Sequence, residues 1–488
     1  MQIFLKRALW TTMAFLAVNI LMPNAHANDE EILNNQDDRR WQNNQTATLI
    51  SPPIDSFDAP SLPINNDGVA QVDEQILLAN PDLLSRAMLS ALIYNNLEGV
   101  AVLLPIYQKQ TDELIETQMV AWAKAVLATK NQDFAAASQL YQTLHEQYPT
   151  NSLFGIRLIQ SLFANRHYVE AKTLLEQQPD YIQAQLIDYK NALHELGKPT
   201  LQIGGHVIMD KNINNAPKQT DLGGGWTANA AQSAHGVALN VSVDKKILLP
   251  DGLSLTPALS LQSKLYQDTK QYNELLARAG LSMGKANHKT SLSITPFFEQ
   301  THYAGGRAEQ HQLKHFSDVI GIGIDATQKI SPTSQLGVSA EISKNYHQTR
   351  PHLDGHSISI SPSFATRPTW LTHGSLSLVA DYQYTHTQDK DDSYYRMGLR
   401  ASAHQQWQHL GLRGSIGIAQ RRYLAPMPIF NQTQINDEYT ASLSLWHRKL
   451  AYQNLMPRLT WQYQKTDSSV ALYSYDKSRV FVELSHAF

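Results

Sequence analysis

The sequence predicts two structural units in one chain, a short α-helical solenoid followed by a fourteen-stranded antiparallel transmembrane β-barrel. Three observations predict it. Apolar residues recur with helical period over residues 73–197 and then switch to alternation with period two until the chain stops. After the first thirty or so residues no stretch approaches the roughly 18 apolar residues that mark a spanning helix, so any membrane span there has to be a barrel. The final segment, "RVFVELSHAF", places Val480, Val482, Leu484 and His486 on one parity and ends on the aromatic ring of Phe488. A last strand sealing a barrel, with its terminal ring at the membrane interface, accounts for that ending.

Composition narrows the function classes. The 488 residues carry a net charge of -3, so bulk electrostatics give nucleic acid no purchase. Cysteine is absent. That excludes a disulfide scaffold, a thiol nucleophile, thiolate metal sites and a lipid-modified cysteine on this chain. At the N-terminus Lys6 and Arg7 precede an apolar run from Ala8 to Met22, and Ala25-His26-Ala27 follows. This is the pattern of a secretory signal peptide over residues 1–27, cut after Ala27. The apolar run is about 15 residues, short of the ~20 that span a bilayer. Residues 28–72 are rich in Asn, Gln, Asp and Pro. They cannot bury enough apolar surface to order themselves, and read as a tether.

Residues 73–197 contain a repeat. "KNQDFAAASQLYQTLHEQYP" begins at Lys130 and "NRHYVEAKTLLEQQP" at Asn165. Asn131 and Asn165, Phe134 and Tyr168, and Ala137 and Ala171 are each 34 residues apart. An aromatic followed three positions later by alanine, at that period, resembles the tetratricopeptide repeat. Small Ala137 and Ala171 let antiparallel helices approach, and Phe134 and Tyr168 are expected to pack between repeats. Pro149 ends one unit. The segment from Asn80 to Tyr107 supplies an earlier, degenerate pair, completing about three units. Solenoids of this kind bind peptides or helices along a concave face built from first helices. In this register Trp122, Val126, Ile156 and Gln160 point to that face, and Trp122 reads equally well as a core residue.

From Leu201 the alternation takes over. "DGLSLTPALSLQ" sets Leu253, Leu255, Leu259 and Leu261 against Ser254, Thr256 and Ser260, and "DVIGIGIDA" sets Ile320, Ile322 and Ile324 on one face. Fourteen such strands fit the segment 198–488. Odd-numbered connections read as long and polar ("DKNINNAPKQTDLGGGWTANAAQS", "RRYLAPMPIFNQTQINDEY"), even-numbered ones as short turns ("LPDGL", "KANHKT"). That asymmetry belongs to outer-membrane barrels, with the helical unit on the short-turn, periplasmic side. Tyr266, Tyr303, Trp370, Tyr394, Trp407, Tyr423 and Tyr463, near strand ends, are expected to form the interfacial girdles.

Nothing in the chain reads as an enzyme. There are 19 histidines, but no G-x-S-x-G and no H-E-x-x-H. His311 and His315 fall in a predicted loop, where i, i+4 spacing has no meaning. No phosphate-cradling glycine loop is present. No catalytic, cofactor-binding or metal-binding residue is assigned, and no cofactor is expected.

Several strings resemble one family. "LLANPDLLSRAMLSALIYNNLEGVAVLLPIY", "KNINNAPK", "ASLSLWHRKL", "MPRLTW" and "YDKSRVFVELSHAF" are similar to segments of the surface lipoprotein assembly modulators, the Slam proteins of Gram-negative bacteria. The resemblance runs from about residue 73 to the end. It implies a periplasmic tetratricopeptide domain joined to a fourteen-stranded outer-membrane barrel. It implies a translocator that brings lipoproteins, or in some members soluble haemophores, to the cell surface. The implied partners are such a client, held by the concave-face residues named above, outer-membrane lipid, the barrel-assembly machinery and periplasmic chaperones. Helical repeats ahead of a barrel also occur in polysaccharide exporters, and a passive porin or an outer-membrane enzyme are the remaining readings.

Overall fold

A computed structural model describes residues 74–111, 114–223, 226–307, 309–428, 430–452 and 455–487. The predicted signal peptide, tether and terminal Phe488 lie outside the described residues.

Among the described residues nine helices come first: α1 (Glu74–Ala79), α2 (Pro81–Ile93), α3 (Leu97–Tyr107), α4 (Thr117–Lys130), α5 (Phe134–Gln147), α6 (Ser152–Ala164), α7 (Tyr168–Glu176), α8 (Asp180–Gln185) and α9 (Ile187–Leu196). The pairs α2/α3, α4/α5 and α6/α7 are helical hairpins. Their local chemistry repeats. Asn95, Gln132 and Arg166 occupy the tight turns with positive φ of 53°, 57° and 64°. The next helix is then capped where a suitable side chain stands: Asn96 accepts from the Gly99 amide and Asp133 from the Ala136 amide, filling donors that the first turn leaves unpaired. Ala137 and Ala171 are fully buried. One apolar core runs through α1 to α6, and a second is built on Ile159, Leu175, Ile182, Tyr189 and Leu193.

Fourteen barrel strands follow: β1 (Pro199–Asp210), β2 (Ala234–Lys245), β3 (Leu253–Tyr266), β4 (Glu274–Ala286), β5 (Thr290–Tyr303), β6 (Lys314–Ser331), β7 (Ser334–His347), β8 (Gly355–Thr366), β9 (Gly374–Thr387), β10 (Tyr394–Gln406), β11 (Leu410–Met427), β12 (Gln432–His447), β13 (Met456–Ser468) and β14 (Tyr475–Ala487). All pairings are antiparallel between sequence neighbours, and β14 returns to β1 to close the ring. Two short pieces sit in connections: Asp221–Gly223 pairs with Trp226–Thr227, and Ile247–Leu248 pairs with the start of β3. The outward parity is apolar and uncovered. Ile320, Ile322 and Ile324 are 57%, 49% and 39% exposed, and Leu443, Leu445, Val480 and Val482 behave alike. A band of this kind around a whole barrel is a lipid-facing surface. Among the described residues no helix is long and apolar enough to cross a membrane.

Two expectations need correction. The first of the predicted long connections is indeed long, running from Asp210 to Ala234, but the string 421–439 is largely strand: β11 and β12 leave only residues 428–431 between them. Alternation continues beyond the apolar band, so the hairpin keeps pairing above it, with a register shift between Arg422 and Pro426 where proline cannot donate to the ladder. Four of the seven girdle aromatics face inward. Tyr266, Tyr303, Tyr394 and Tyr423 are buried, the first two in an apolar cluster with Ile208, Ala234, Tyr272 and Phe316, the last two 5.4 Å apart between ring centres. Their parity is opposite to that of the lipid-facing residues on the same strands, such as Leu265 and Met397. Trp370 and Trp407, in the turns opposite the long hairpins, are exposed at 73% and 49% and fit a girdle.

Candidate functional site

The helical unit enters the barrel by a short link, Gly197 and Lys198, and its hairpin turns meet the barrel rim on that side. The turn of α4/α5 brings Gln132 Oε1 to 3.3 Å from His288 Nε2, and the Phe134 ring meets the His288 ring edge-on at 4.6 Å. His288 lies in the turn between β4 and β5. Glu170, in the first turn of α7, accepts a 2.6 Å hydrogen bond from the Asp251 amide in the β2–β3 turn. That turn has positive φ at both Asp251 (58°) and Gly252 (69°), the geometry of a two-residue hairpin turn that favours Asp-Gly. A side chain at Gly252 would meet the Ala286 carbonyl at 2.3 Å, so only glycine fits this close approach. Both barrel turns therefore seat helical repeats, the β4–β5 turn through His288 and the β2–β3 turn through the Asp251 amide.

Phe134 is thus placed against the barrel turn rather than in the expected position between repeats. The reason is its position directly after the turn, on the side the solenoid presents to the rim. Tyr168, its counterpart one repeat later, packs on Phe163 at 5.3 Å, within the helical unit. Trp122 and Val126 need correction as lining residues of an open concave face. Trp122 is 6% exposed and meets Phe154 edge-on at 5.2 Å, and Val126 is fully buried. Surface already buried against neighbouring helices is not available to a partner. Ile156 is half-buried against the second core, and Gln160, also half-buried, accepts a 3.0 Å hydrogen bond from Arg157. Sequence reasoning missed the apolar residues that the first pair does leave open: Leu89, Ile93, Tyr94 and Val102. The signal was present, since "LSALIYNN" is more apolar than one buried face requires.

Inside the rim is a cavity of about 370 Å³, lined among others by Arg166 of the α6/α7 turn, His288, Lys289, Asp325, Ser363 and Val379. Beyond it the inward parity is charged and cross-linked. Arg400 Nη2 donates to Asp381 at 2.9 Å, and Asp381 also accepts from Ser361 at 2.8 Å. Glu438 takes Arg396 at 2.8 Å on one carboxylate oxygen and lies 3.1 Å from Arg421 on the other. Arg278 spans from β4 to Glu341 on β7 at 3.0 Å, its guanidinium 3.6 Å from the centre of the Phe297 ring. Arg400 and Arg421 are each only 2% exposed, covered by neighbouring side chains on this part of the inner wall. Breaking such a pair leaves an uncompensated buried charge, which is why the network is closed on itself. Two groupings among the described residues could hold a cation by geometry, His167–Glu170–Asp251 at the rim and Asp389–Asp391–Asp392 in a connection. Both include solvent-open carboxylates, which are ordinary surface features.

Fold and site together define an outer-membrane β-barrel with a repeat domain seated on one mouth. A family model for the surface lipoprotein assembly modifier matches residues 200–488, and one for that family's N-terminal TPR repeats matches residues 70–188. The chain belongs to the surface lipoprotein assembly modifier family. It is 29% identical to surface lipoprotein assembly modifier 2 of Haemophilus influenzae over 91% of this chain and 93% of that protein. It is 30% identical to surface lipoprotein assembly modifier 1 of the same organism over 90% of this chain and 92% of that protein. A more distant relative, at 22% identity over 88% and 89%, is the hemophilin secretion modulator of Acinetobacter baumannii. The barrel sits in the outer membrane, its helical domain on the periplasmic side.

Proposed function

We propose that this protein carries a client polypeptide, a lipoprotein or a secreted haemophore-type protein, from the periplasm to the cell surface. The helical domain receives the client and the barrel passes it outward. One observation carries the reading: the turns of two helical repeats are seated on the rim, with Arg166 lining the cavity that opens into the lumen. A client held on the helices is thereby kept beside the entrance, at an effective concentration of order millimolar for a short linkage. The relatives' names supply the client class, since they speak of surface lipoproteins and of hemophilin. Exposed Leu89, Ile93, Tyr94 and Val102 supply apolar area for that contact, and Ile156 and Gln160 on α6 are half-open. Insertion relies on the barrel-assembly machinery, and periplasmic chaperones deliver the client unfolded. No residue is assigned a catalytic role: binding, passage and folding outside suffice.

The test compares strains with the full chain, a chain lacking residues 74–196, or neither. Surface-accessible lipoproteins and secreted proteins are identified by protease shaving and by analysis of the medium. The expected outcome is at least one protein displayed or secreted only with the full chain, and retained in the periplasm with the barrel alone. Full display by the barrel alone refutes selection by the helices. No client in any strain refutes the translocator, leaving polysaccharide export or a passive pore.

A further inference from the structure

The seam where the barrel closes is unlike the others. β1 is paired with β2 along its whole length, from Pro199↔Lys245 to Asp210↔Ala234. Toward β14 the ladder covers only Gln202↔Ala487 to His206↔Glu483 and then stops. β14 continues upward, paired with β13 as far as Tyr475. The extracellular half of this seam therefore has two strand edges side by side without a ladder. That stretch lies within the apolar band: Val207, Met209, Val480 and Val482 face lipid, each at least half exposed. Lipid offers backbone groups no partner, so barrels ordinarily pair every edge there.

Side chains take the ladder's place. Extending the register sets Asp210 opposite Arg479, and their Oδ2 and Nη1 atoms lie 3.5 Å apart on the inner parity. Above them Lys477 donates to Asn215 at 2.6 Å, and Lys218 pairs with Asp476 at 3.0 Å. The first extracellular connection thus clasps β14 through charged side chains. Lys218 is largely exposed, so its pair with Asp476 exchanges readily with water or with a charged ligand; the Asp210 carboxylate is buried, but a single side-chain pair can part on its own, whereas a backbone ladder of equal length opens only as a unit.

We propose that the extracellular half of the β1–β14 seam is a lateral exit, latched by Asp210–Arg479 and Lys218–Asp476, through which a lipidated client leaves the barrel into the outer leaflet. The inference rests on the translocator reading above. A lipoprotein has two parts with opposite solvent needs. Its polypeptide suits a lumen of Ser, Thr and Arg, and its acyl chains suit hydrocarbon. A wall that opens along one seam lets both stay in their own medium, and this seam is the one whose outer half has no ladder to break.

The chain contains no cysteine, so a staple can be introduced cleanly. Val207→Cys with Val482→Cys places two thiols across the unpaired stretch. Leu259→Cys with Ala279→Cys, a paired position between β3 and β4, is the control. The probe is the lipoprotein whose surface display depends on the wild-type chain, compared before and after oxidation. Oxidation of the seam staple should cut display at least tenfold, reduction should restore it, and the control staple should change nothing. Full display with the seam quantitatively cross-linked overturns the exit. So does failure of the staple to form, because the geometry requires these positions to face each other. Loss of display even when reduced sends the question to planar-bilayer conductance of the full chain. There Asp210→Asn should raise the frequency of large openings several-fold over wild type and oxidation of the staple should abolish them; equal frequencies overturn the latch. Absence of any dependent lipoprotein in the wild-type strain is failure of the translocator reading, and the conductance arm still decides whether the seam opens.

Discussion

The seating of the helices on the barrel makes a prediction that can be worked through in numbers. The perturbation is Phe134→Ala, and the reporter is the amide of Asp251, which belongs to a different barrel turn and donates to Glu170. Phe134 meets His288 edge-on at 4.6 Å and is half-buried. An aromatic pair of this kind contributes about 0.5–1.5 kcal/mol beyond area burial. Half-burial of the ring adds about 1 kcal/mol. Removing both costs about 1.5–2.5 kcal/mol of docking free energy, or roughly a 13- to 70-fold rise in the undocked fraction. If the two seats form one cooperative contact, exchange of the Asp251 amide with deuterium accelerates by that factor, although the substitution leaves the Asp251–Glu170 bond itself untouched. The assay is hydrogen exchange with mass spectrometry on the full chain in detergent, read on peptides covering residues 246–253. Unchanged protection there, with increased exchange confined to the β4–β5 turn, refutes the cooperative seat and leaves two independent contacts.

Two further outcomes concern the helical domain by itself. Ala137 is fully buried where α4, α5 and α6 meet, so Ala137→Trp should destabilise a fragment of residues 74–198 by ~1–3 kcal/mol or more; urea unfolding followed by circular dichroism reads the shift, and a midpoint equal to wild type refutes the packing. Burial pushes the Tyr141 phenol up to about 12 from its ordinary value of 10. Its neutral form is favoured in the fold, so the associated stability, about 2–3 kcal/mol, is complete below pH 10 and lost as pH rises from 10 through 12; Tyr141→Phe should flatten that alkaline decline, and an identical decline in both proteins refutes the cause.

Much of this protein is legible in the sequence because periodicity is a local property. The change from helical spacing to alternation near residue 198, the lipid-facing parity of Ile320, Ile322 and Ile324, and the buried alanines 34 residues apart all follow from which neighbours share a face. The inward rings of Tyr266, Tyr303, Tyr394 and Tyr423 were equally legible, since parity on each strand states the side that nearness to a strand end does not. Which helical face is core and which is open was not legible. Trp122 and Val126 sit one turn apart on α4, and only the placement of Phe154 and the flanking helices decides that they are covered. The charged lumen likewise depends on closure, because Arg278 reaches Glu341 only once the sheet has curled. The seam belongs to tertiary structure altogether: Asp210 and Arg479 stand at opposite ends of the barrel sequence, and the ring brings them together. Local sequence determines what each residue prefers to face, and only the closed fold decides what is there to be faced.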